Sequence, residues 1–315
     1  MPLPRVSIIC LCYNHERFLK EALDSALAQT YPNLELIVVD DSSTDNSPTI
    51  IDEYCRRFPQ ISFISTGQNV GNTKAFNIGW RASEGEFIID FATDDVLLPD
   101  RVEKQVNQFL ALDKSYGVVY SDAAYIDDHS NFLHLHSQKY KPSLDADVFR
   151  EVLKRYFICP PTMMMRREVL EELNGYDETL AYEDFDFWVR SARNWNYSYL
   201  PEITTKRRLH HNSLSAKYYT SDGKMLRSTL EVCQKAVKLL RTKDEKTALI
   251  QRLKYEIRHA YLTNHFTETK QFLKLLRDIT PNPGVISQLI TRLSNSEISL
   301  SFIRRLYYSL RYGKS

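Results

Sequence analysis

The sequence predicts an α/β fold, a mostly parallel sheet sandwiched by helices, followed by a helical C-terminal extension. Two observations carry this. Apolar runs of strand length alternate with helical periods as far as residue 122, and from residue 221 onward only helical periods remain. With 43% hydrophobic and 26% charged residues in 315, the chain resembles an ordinary soluble globular protein and can bury a sizeable core.

Each element follows from its pattern. RVSIICLC (5–12) reads as a first buried strand, and ERFLKEALDSALAQT (16–30) as a helix that stops at YPN. LELIVVD (34–40) is a second strand. SPTIIDEYCRRF (47–58) is a helix with Ser47 as its cap and Pro48 at its first position. ISFIST (61–66), the helix NTKAFNIGWRAS (72–83) and the strand EFIIDFA (86–92) continue the alternation. PDRVEKQVNQFLALD (99–113) is a helix and GVVYSD (117–122) a fifth strand. Right-handed crossovers then put functional loops at the strands' carboxyl ends. Between about Asp122 and Pro201 the pattern loosens into short pieces. KMLRSTLEVCQKAVKLLR, EKTALIQRLKYEIRHAYLTNHF, ETKQFLKLLRDI and SFIRRLYYSLRYG are helical, with a break at TPNPG (280–284). The expected division is 1–220 and 221–315, the first part changing character near 122.

Composition excludes several classes. The five cysteines are odd in number and contain no CxxC, so neither disulfides nor a zinc site is expected; Cys10 and Cys12 share one strand face and simply pack. MPLPRVSIICLCYN is too short and interrupted for a signal peptide, and no apolar stretch approaches the roughly 20 residues of a membrane span. A cytoplasmic location is expected. The net charge of +1 conceals an asymmetry. From Asp222 onward there are 18 Lys and Arg against 8 Asp and Glu, a net +10; before it there are 23 against 32, a net −9. The final segment SFIRRLYYSLRYGK places Phe302, Leu306 and Leu310 at four-residue steps, with Arg304, Arg305, Arg311 and Lys314 around them. A basic amphipathic helix of this kind lies on an anionic membrane surface, on the inner face in this case, or packs its apolar stripe on its own protein or a second subunit.

Three acidic features stand where an α/β sheet presents its strand ends. They are Asp40–Asp41 after the second strand, Asp94–Asp95 after the fourth, and Glu183–Asp184 in LAYEDFDFWVR. One Asp pair can simply open a turn. Three such features suit a hard cation, Mg²⁺ or Mn²⁺, which usually arrives with phosphate. Phe187 and Trp188 are expected to pack behind the last pair, and the Met163–Met165 run to form strand core. Arg101 reads as a helix-start charge or ion-pair partner, and His15 as a loop residue.

These residues also carry a resemblance. VSIICLCYNHERFLKEALDSALAQTYPNLELIVVDDSSTDNS, NVGNTKAFNIGWRASEGEFIIDFATDDVLLPDRVEKQV, PTMMMRREVLEELNGYDETLAYEDFDFWVR and RLHHNSLS, in that order, resemble family 2 glycosyltransferases over residues 5–216. The resemblance implies a GT-A catalytic domain over 1–220, with nucleotide-sugar binding in about 1–122 and the acceptor part in about 123–220. It implies inverting, metal-dependent sugar transfer from a nucleotide-diphospho-sugar, UDP-sugars favoured, to a glycan or lipid-linked acceptor in surface polysaccharide synthesis, with no nucleic acid involved. Asp41 matches the residue that binds the base, framed by Tyr13. Asp95 matches the metal ligand and Asp94 the residue facing the ribose or sugar. Asp184 matches the catalytic base, with Glu183 beside it. His210 or His211 matches a His near the diphosphate and metal. Two positions depart from the pattern. Ala92 stands where many relatives carry an Asp. Phe76 stands where an Arg is common, and Lys74 either replaces that charge or lies on a solvated helix face. A sugar nucleotidyltransferase would open with a Gly-rich phosphate loop, which CLCYNHERF lacks. A non-catalytic binding module is disfavoured because Asp41, Asp94, Asp95 and Asp184 are all present.

Overall fold

The computed structural model describes residues 3–210 and 223–301. They form two compact units, one of residues 3–148 and 156–210, the other of residues 149–155 and 223–301.

The first unit is built on a sheet that runs β3-β2-β1-β4-β8-β6-β9-β5, with β7 paired to β6 off that path. The strands are β1 (Val6–Cys12), β2 (Leu34–Asp40), β3 (Ile61–Ser65), β4 (Phe87–Ala92), β5 (Val96–Leu97), β6 (Tyr116–Ile126), β7 (Phe132–Leu135), β8 (Met164–Arg166) and β9 (Asn196–Arg208). The helices between them are α1 (Leu19–Leu27), α2 (Ser47–Arg57), α3 (Asn72–Ala82), α4 (Arg101–Leu110) and the short α5 (His136–Lys139). Beyond α6 (Phe149–Lys154) come α7 (Arg167–Leu173) and α8 (Asp184–Ser191).

The parallel half, β3-β2-β1-β4, lies where the apolar runs predict it. Strands covered on both faces read as continuous hydrophobic runs. One face carries Val6, Ile8 and Cys10 of β1 with Leu36 and Val38 of β2, against Leu19, Ala22 and Leu23 of α1, Ile50 and Ile51 of α2, and Val102, Val106 and Phe109 of α4. The other face takes α3 at very close range. A methyl added at Gly79 would stand 2.4 Å from Ile9 Cγ2, so the absent side chain lets helix and sheet touch. The register levels the strand ends, pairing Leu11 with Ala92, Cys12 with Asp40, and Asp40 with Ser65. Whatever follows these residues therefore emerges along one sheet edge.

Beyond β4 the sheet is mixed. β8 runs antiparallel to both β4 and β6, β9 runs parallel to β6, and β5 pairs antiparallel with β9. Here the structure corrects the sequence reading. At the end of the loosened region and running past it lies β9, the longest strand of the described residues at 13 residues, hidden because its second half, PEITTKRR, is polar. It is internal to the sheet nonetheless, and its polar side chains are the ones that reach the site. Ser47 is likewise not a cap. Asn46 takes the cap position, and the buried Ser47 hydroxyl accepts from the backbone N–H of His15 (3.2 Å).

The second unit holds α6 with α9 (Lys224–Leu239), α10 (Lys243–Leu262), α11 (Phe266–Ile279) and α12 (Val285–Asn295). Leu226, Cys233, Leu249, Leu253, Ile257, Phe272 and Leu276 are buried. A capping box opens α10, with Glu245 N donating to Thr242 Oγ1 (3.2 Å) and Thr242 N to Glu245 Oε2 (3.0 Å). The break at residues 280–284 separates α11 from α12 as expected; α12 itself was not predicted. The basic segment from Phe302 onward, with Arg304, Arg305, Arg311 and Lys314, lies outside the described residues, as does His211.

Candidate active site

The levelled edge collects Tyr13, Asp41, Thr66 and the Thr93–Asp95 turn. Tyr13 is exposed just past β1. Asp41 is buried and engaged, accepting from Val70 N (2.8 Å) through Oδ1, from Gly71 N (2.9 Å) through Oδ2, and from the Thr66 hydroxyl (3.1 Å). It thus holds the loop that leads into α3. Two carboxylate oxygens offer about four acceptor sites, so this leaves room for a ligand donor. Asp40 closes its own turn by accepting from the Ser43 N–H (3.2 Å) and hydroxyl (2.5 Å). Lys74 is exposed on α3. Phe76 is fully buried and stacks on Tyr176 with ring centroids 4.3 Å apart, so that position faces the core.

Asp94 and Asp95 form the turn between β4 and β5. Asp95 is buried; burial, then the adjacent Asp94 charge, pushes its carboxyl up to about 8, against Arg207 and Arg208. Burial works in the same direction on Asp94, but there the hydrogen bond from His210 and the charges of His15 and His210 prevail, and its pKa is lowered. His210 Nε2 stands 2.9 Å from Asp94 Oδ2. His15, in the loop after β1, shares a 2.9 Å hydrogen bond with the Thr93 hydroxyl through Nδ1, next to the Asp94–Asp95 turn. Positive charge reaches this turn from Arg207 and Arg208 of β9 and from Arg101 of α4. Arg208 donates its backbone N–H to Asp95 Oδ1 (2.7 Å) and its Nε to the Asp94 carbonyl (2.9 Å).

Arg101 opens α4, as a helix-start residue should, but its partners are not carboxylates. It is fully buried and makes no ion pair among the described residues. It donates to Gln105 Oε1 (3.1 Å), Thr205 Oγ1 (2.9 Å) and the Met163 carbonyl (3.0 Å). Burial lowers its pKa to about 9, with Asp95, Cys159 and Asp90 opposing. It ties α4 to β9 beneath the site.

The second carboxylate group lies at the start of α8. Asp184 is its first residue and Glu183 occupies the cap position. Both are half-buried, together with Asp90, which the sequence reading passed over in the middle of an apolar strand. Burial, then Glu183, raises Asp90; the Tyr176 hydroxyl donates to it. Burial, then Glu183 and more weakly Asp90, holds Asp184 well above the usual carboxylate range, with Arg207 opposing. Glu183 is raised by burial despite a hydrogen bond with Asn72, and its Oε2 is a buried acceptor with no hydrogen-bond partner among the described residues. Phe187 and Trp188 pack behind these carboxylates as expected. Trp188 Nε1 donates to Met163 Sδ (3.2 Å), and Met164–Arg166 is buried strand.

Arg207 links the two groups. Burial lowers its pKa, but Cys159, Tyr125, Asp95 and Asp184 outweigh burial and keep it charged. One guanidinium thus feels both carboxylate groups, while its Nη1 donates to Tyr125 Oη (3.1 Å). Only the pairing of β9 with β6 and β5 could have revealed Arg207 and Arg208.

The donor types fit a divalent cation shared with a ligand. Asp94 meets the His210 imidazole and Asp95 adjoins it in the same turn, and such cations commonly take one or two carboxylates plus phosphate oxygens. Among the described residues no group of three or more His, Cys, Asp or Glu is placed to hold a metal ion by itself, so ligand phosphate oxygens would have to complete the shell.

Comparison with known proteins agrees with this architecture. The model of the family described as Glycosyl transferase family 2 matches residues 7–174. A glycosyltransferase of Rickettsia prowazekii is 33% identical over 211 residues, 66% of this chain and 64% of that relative, which extends beyond the matched part. The chondroitin synthase of Escherichia coli is 30% identical over 216 residues, 68% of this chain and 30% of the synthase. Among solved structures, S. aureus TarS 1-349 in complex with UDP-GlcNAc superposes with a TM-score of 0.71 at 18% identity, covering 98% of this chain and 92% of that one. The mannosyltransferase PcManGT from Pyrobaculum calidifontis, in complex with GDP-Man and Mn²⁺, superposes with a TM-score of 0.61 at 17% identity, covering 98% and 84%. The fold is that of the GT-A glycosyltransferases, and the chain belongs to glycosyl transferase family 2.

Proposed function

We propose that this protein transfers a sugar, with inversion, from a nucleotide-diphospho-sugar to a hydroxyl of a glycan or lipid-linked acceptor, in a divalent-metal-dependent reaction serving surface polysaccharide synthesis. The observation that carries the proposal is the separation of two carboxylate groups on different segments of one unit. Asp94–Asp95 with His210 stands at the sheet edge, and Glu183–Asp184 opens α8. Inversion requires the attacking hydroxyl and the leaving diphosphate on opposite faces of the sugar, and two separate groups supply that. UDP-GlcNAc and GDP-Man in the two structural neighbours support a nucleotide-sugar donor, and Mn²⁺ in one of them supports the metal.

In this reading Asp41 and Tyr13 bind the base at the edge, and Lys74 stands near the path of the phosphates. Asp94 faces the ribose or sugar. Asp95, with Asp94 and His210 beside it, holds Mg²⁺ or Mn²⁺, which when bound supplies Lewis-acid stabilisation of the departing diphosphate. Asp184 takes the proton of the acceptor hydroxyl, which is otherwise a poor nucleophile. Glu183 Oε2, which has no hydrogen-bond partner among the described residues, is a second acceptor for a substrate hydroxyl. A screen of UDP-, GDP- and dTDP-sugars, scored by released nucleoside diphosphate with Mn²⁺, with Mg²⁺ and with EDTA, tests this. Metal-dependent release from one donor is expected. Release that is indifferent to EDTA overturns the metal role, and no release from any donor, with or without candidate acceptors, overturns the transfer.

A further inference from the structure

Beyond the two carboxylate groups, the structure contains a clamp behind the Asp94–Asp95 turn. Its centre is Arg208, whose side chain is 1% exposed. Nε donates to the Asp94 carbonyl (2.9 Å). Nη1 donates to the Asp127 carbonyl (3.0 Å) and to Ser130 Oγ (3.0 Å), and Nη2 to Glu21 Oε2 (2.6 Å). The guanidinium lies over the Phe18 ring, 4.6 Å from its centroid. The opposite charge, Glu21, belongs to the first turn of α1 and is 44% exposed.

The same parts hold the imidazole. The His210 ring stands 5.3 Å from the Phe18 ring, and its Nε2 meets Asp94 Oδ2 at 2.9 Å. Arg17 flanks Phe18 (5.1 Å to the ring) and anchors the 127–130 turn by donating to Asp128 Oδ2 (3.0 Å) and to the Asp128 carbonyl (2.9 Å). Three segments thus converge on one guanidinium carried by the end of β9: the start of α1, the Asp94–Asp95 turn and the 127–130 turn. The backbone N–H of residue 208 would bond Asp95 whatever its side chain. The fork to Asp94, Asp127, Ser130 and Glu21 needs several fixed donors on one planar group, which Lys does not offer.

We propose that Arg208 is the positioning residue of the metal-binding turn, acting with Glu21 and Phe18 to hold Asp94, Asp95 and His210 in the arrangement that takes the cation. This rests on the metal-dependent reading above. Arg208 touches neither substrate nor metal; it acts through the Asp94 peptide and the Phe18 platform. Groups that orient metal ligands commonly contribute roughly 10- to 100-fold in metal affinity.

The test is Mn²⁺ binding without turnover, followed by the loss of the free Mn²⁺ paramagnetic resonance signal on addition of protein with UDP. Arg208→Lys is expected to bind Mn²⁺ about 10- to 100-fold more weakly while circular dichroism shows it folded. Glu21→Gln, at a part-exposed position the fold tolerates, is expected to weaken Mn²⁺ severalfold, and it decides the matter if Arg208→Lys does not fold. Unchanged Mn²⁺ affinity in a folded Arg208→Lys protein, or in Glu21→Gln when that variant must decide, overturns the positioning role. A wild-type protein that binds no Mn²⁺ with UDP or GDP overturns the metal reading itself, and this inference with it.

Discussion

Asp184 must be ionised to accept a proton, yet burial, Glu183 and Asp90 all favour its protonated form, with Arg207 opposing them. The acid limb of the turnover–pH profile is therefore expected above the ordinary carboxylate range. Asp90→Asn removes one of the opposing charges and should move that limb to lower pH. The stability consequence has a definite sign. Carboxyls whose folded pKa is raised stabilise the fold below their unfolded value, and that contribution is lost as pH rises through the folded one. Asp90→Asn should therefore raise the melting temperature relative to wild type more at pH 9 than at pH 5. Asp184→Asn is expected to lower turnover by roughly 10²- to 10⁴-fold, the range of a lost general base, with donor affinity retained. Should Glu183→Gln prove the more damaging change in the same assay, the base is Glu183 and not Asp184. Asp95→Asn should abolish nearly all transfer while circular dichroism shows the fold intact.

Among the elements, the connection from α7 to α8 places the candidate base, and one glycine shapes it. Gly175 has φ +79°, and a methyl there would lie 2.3 Å from Asn77 Oδ1 and 2.8 Å from Trp80 Nε1. Asn77 is fully buried on α3, accepting from Tyr176 N (2.9 Å) and Trp80 Nε1 (3.0 Å) and donating to the Tyr176 carbonyl (2.8 Å). The left-handed conformation alone costs a non-glycine residue roughly 1–2 kcal/mol, and displacing Asn77 adds to it. Gly175→Ala is expected to destabilise by at least that amount in urea unfolding and to lower turnover, since Tyr176 donates to Asp90 beside the base. β9 shows the other lesson of this scale. Its basic second half has no apolar alternation to announce a strand, because its side chains (Thr205 on Arg101, Arg207 on Tyr125, Arg208 on the Asp94–Asp95 turn) meet polar partners.

Taken as a whole molecule, the chain divides its charge, net −9 before Asp222 and +10 from it onward. No helix among the described residues is long and apolar enough to cross a membrane. Removing residues 302–315 distinguishes the two roles open to the basic segment. The expected outcome is a fall in melting temperature or a change in oligomeric state, with full-length protein indifferent to anionic liposomes. The converse result assigns the segment to a membrane surface: the full chain sediments with such liposomes at low salt and is released as salt screens the attraction, while the truncated chain stays folded and unbound.

The sequence by itself determined the parallel half of the sheet, the helices α1 to α4, most of the C-terminal helices and the acidic residues of the candidate site. These depend on local signals: apolar runs, helical periodicity and carboxylates placed directly after strands. Only the tertiary structure decided what surrounds those carboxylates. Asp90 sits inside an apolar run and joins the candidate site only because Glu183, Asp184 and the Tyr176 hydroxyl, distant in sequence, come near it. Arg101 reads as a helix-start charge or ion-pair partner; it does open α4, but as a buried donor to Gln105, Thr205 and the Met163 carbonyl. Arg207 and Arg208 acquire their partners through pairings of β9 with β5 and β6 that span about 80 to 110 residues. Polar side chains carry no periodic signal of burial, so their environment is set by which distant strands become neighbours, and that is a property of the sheet's topology.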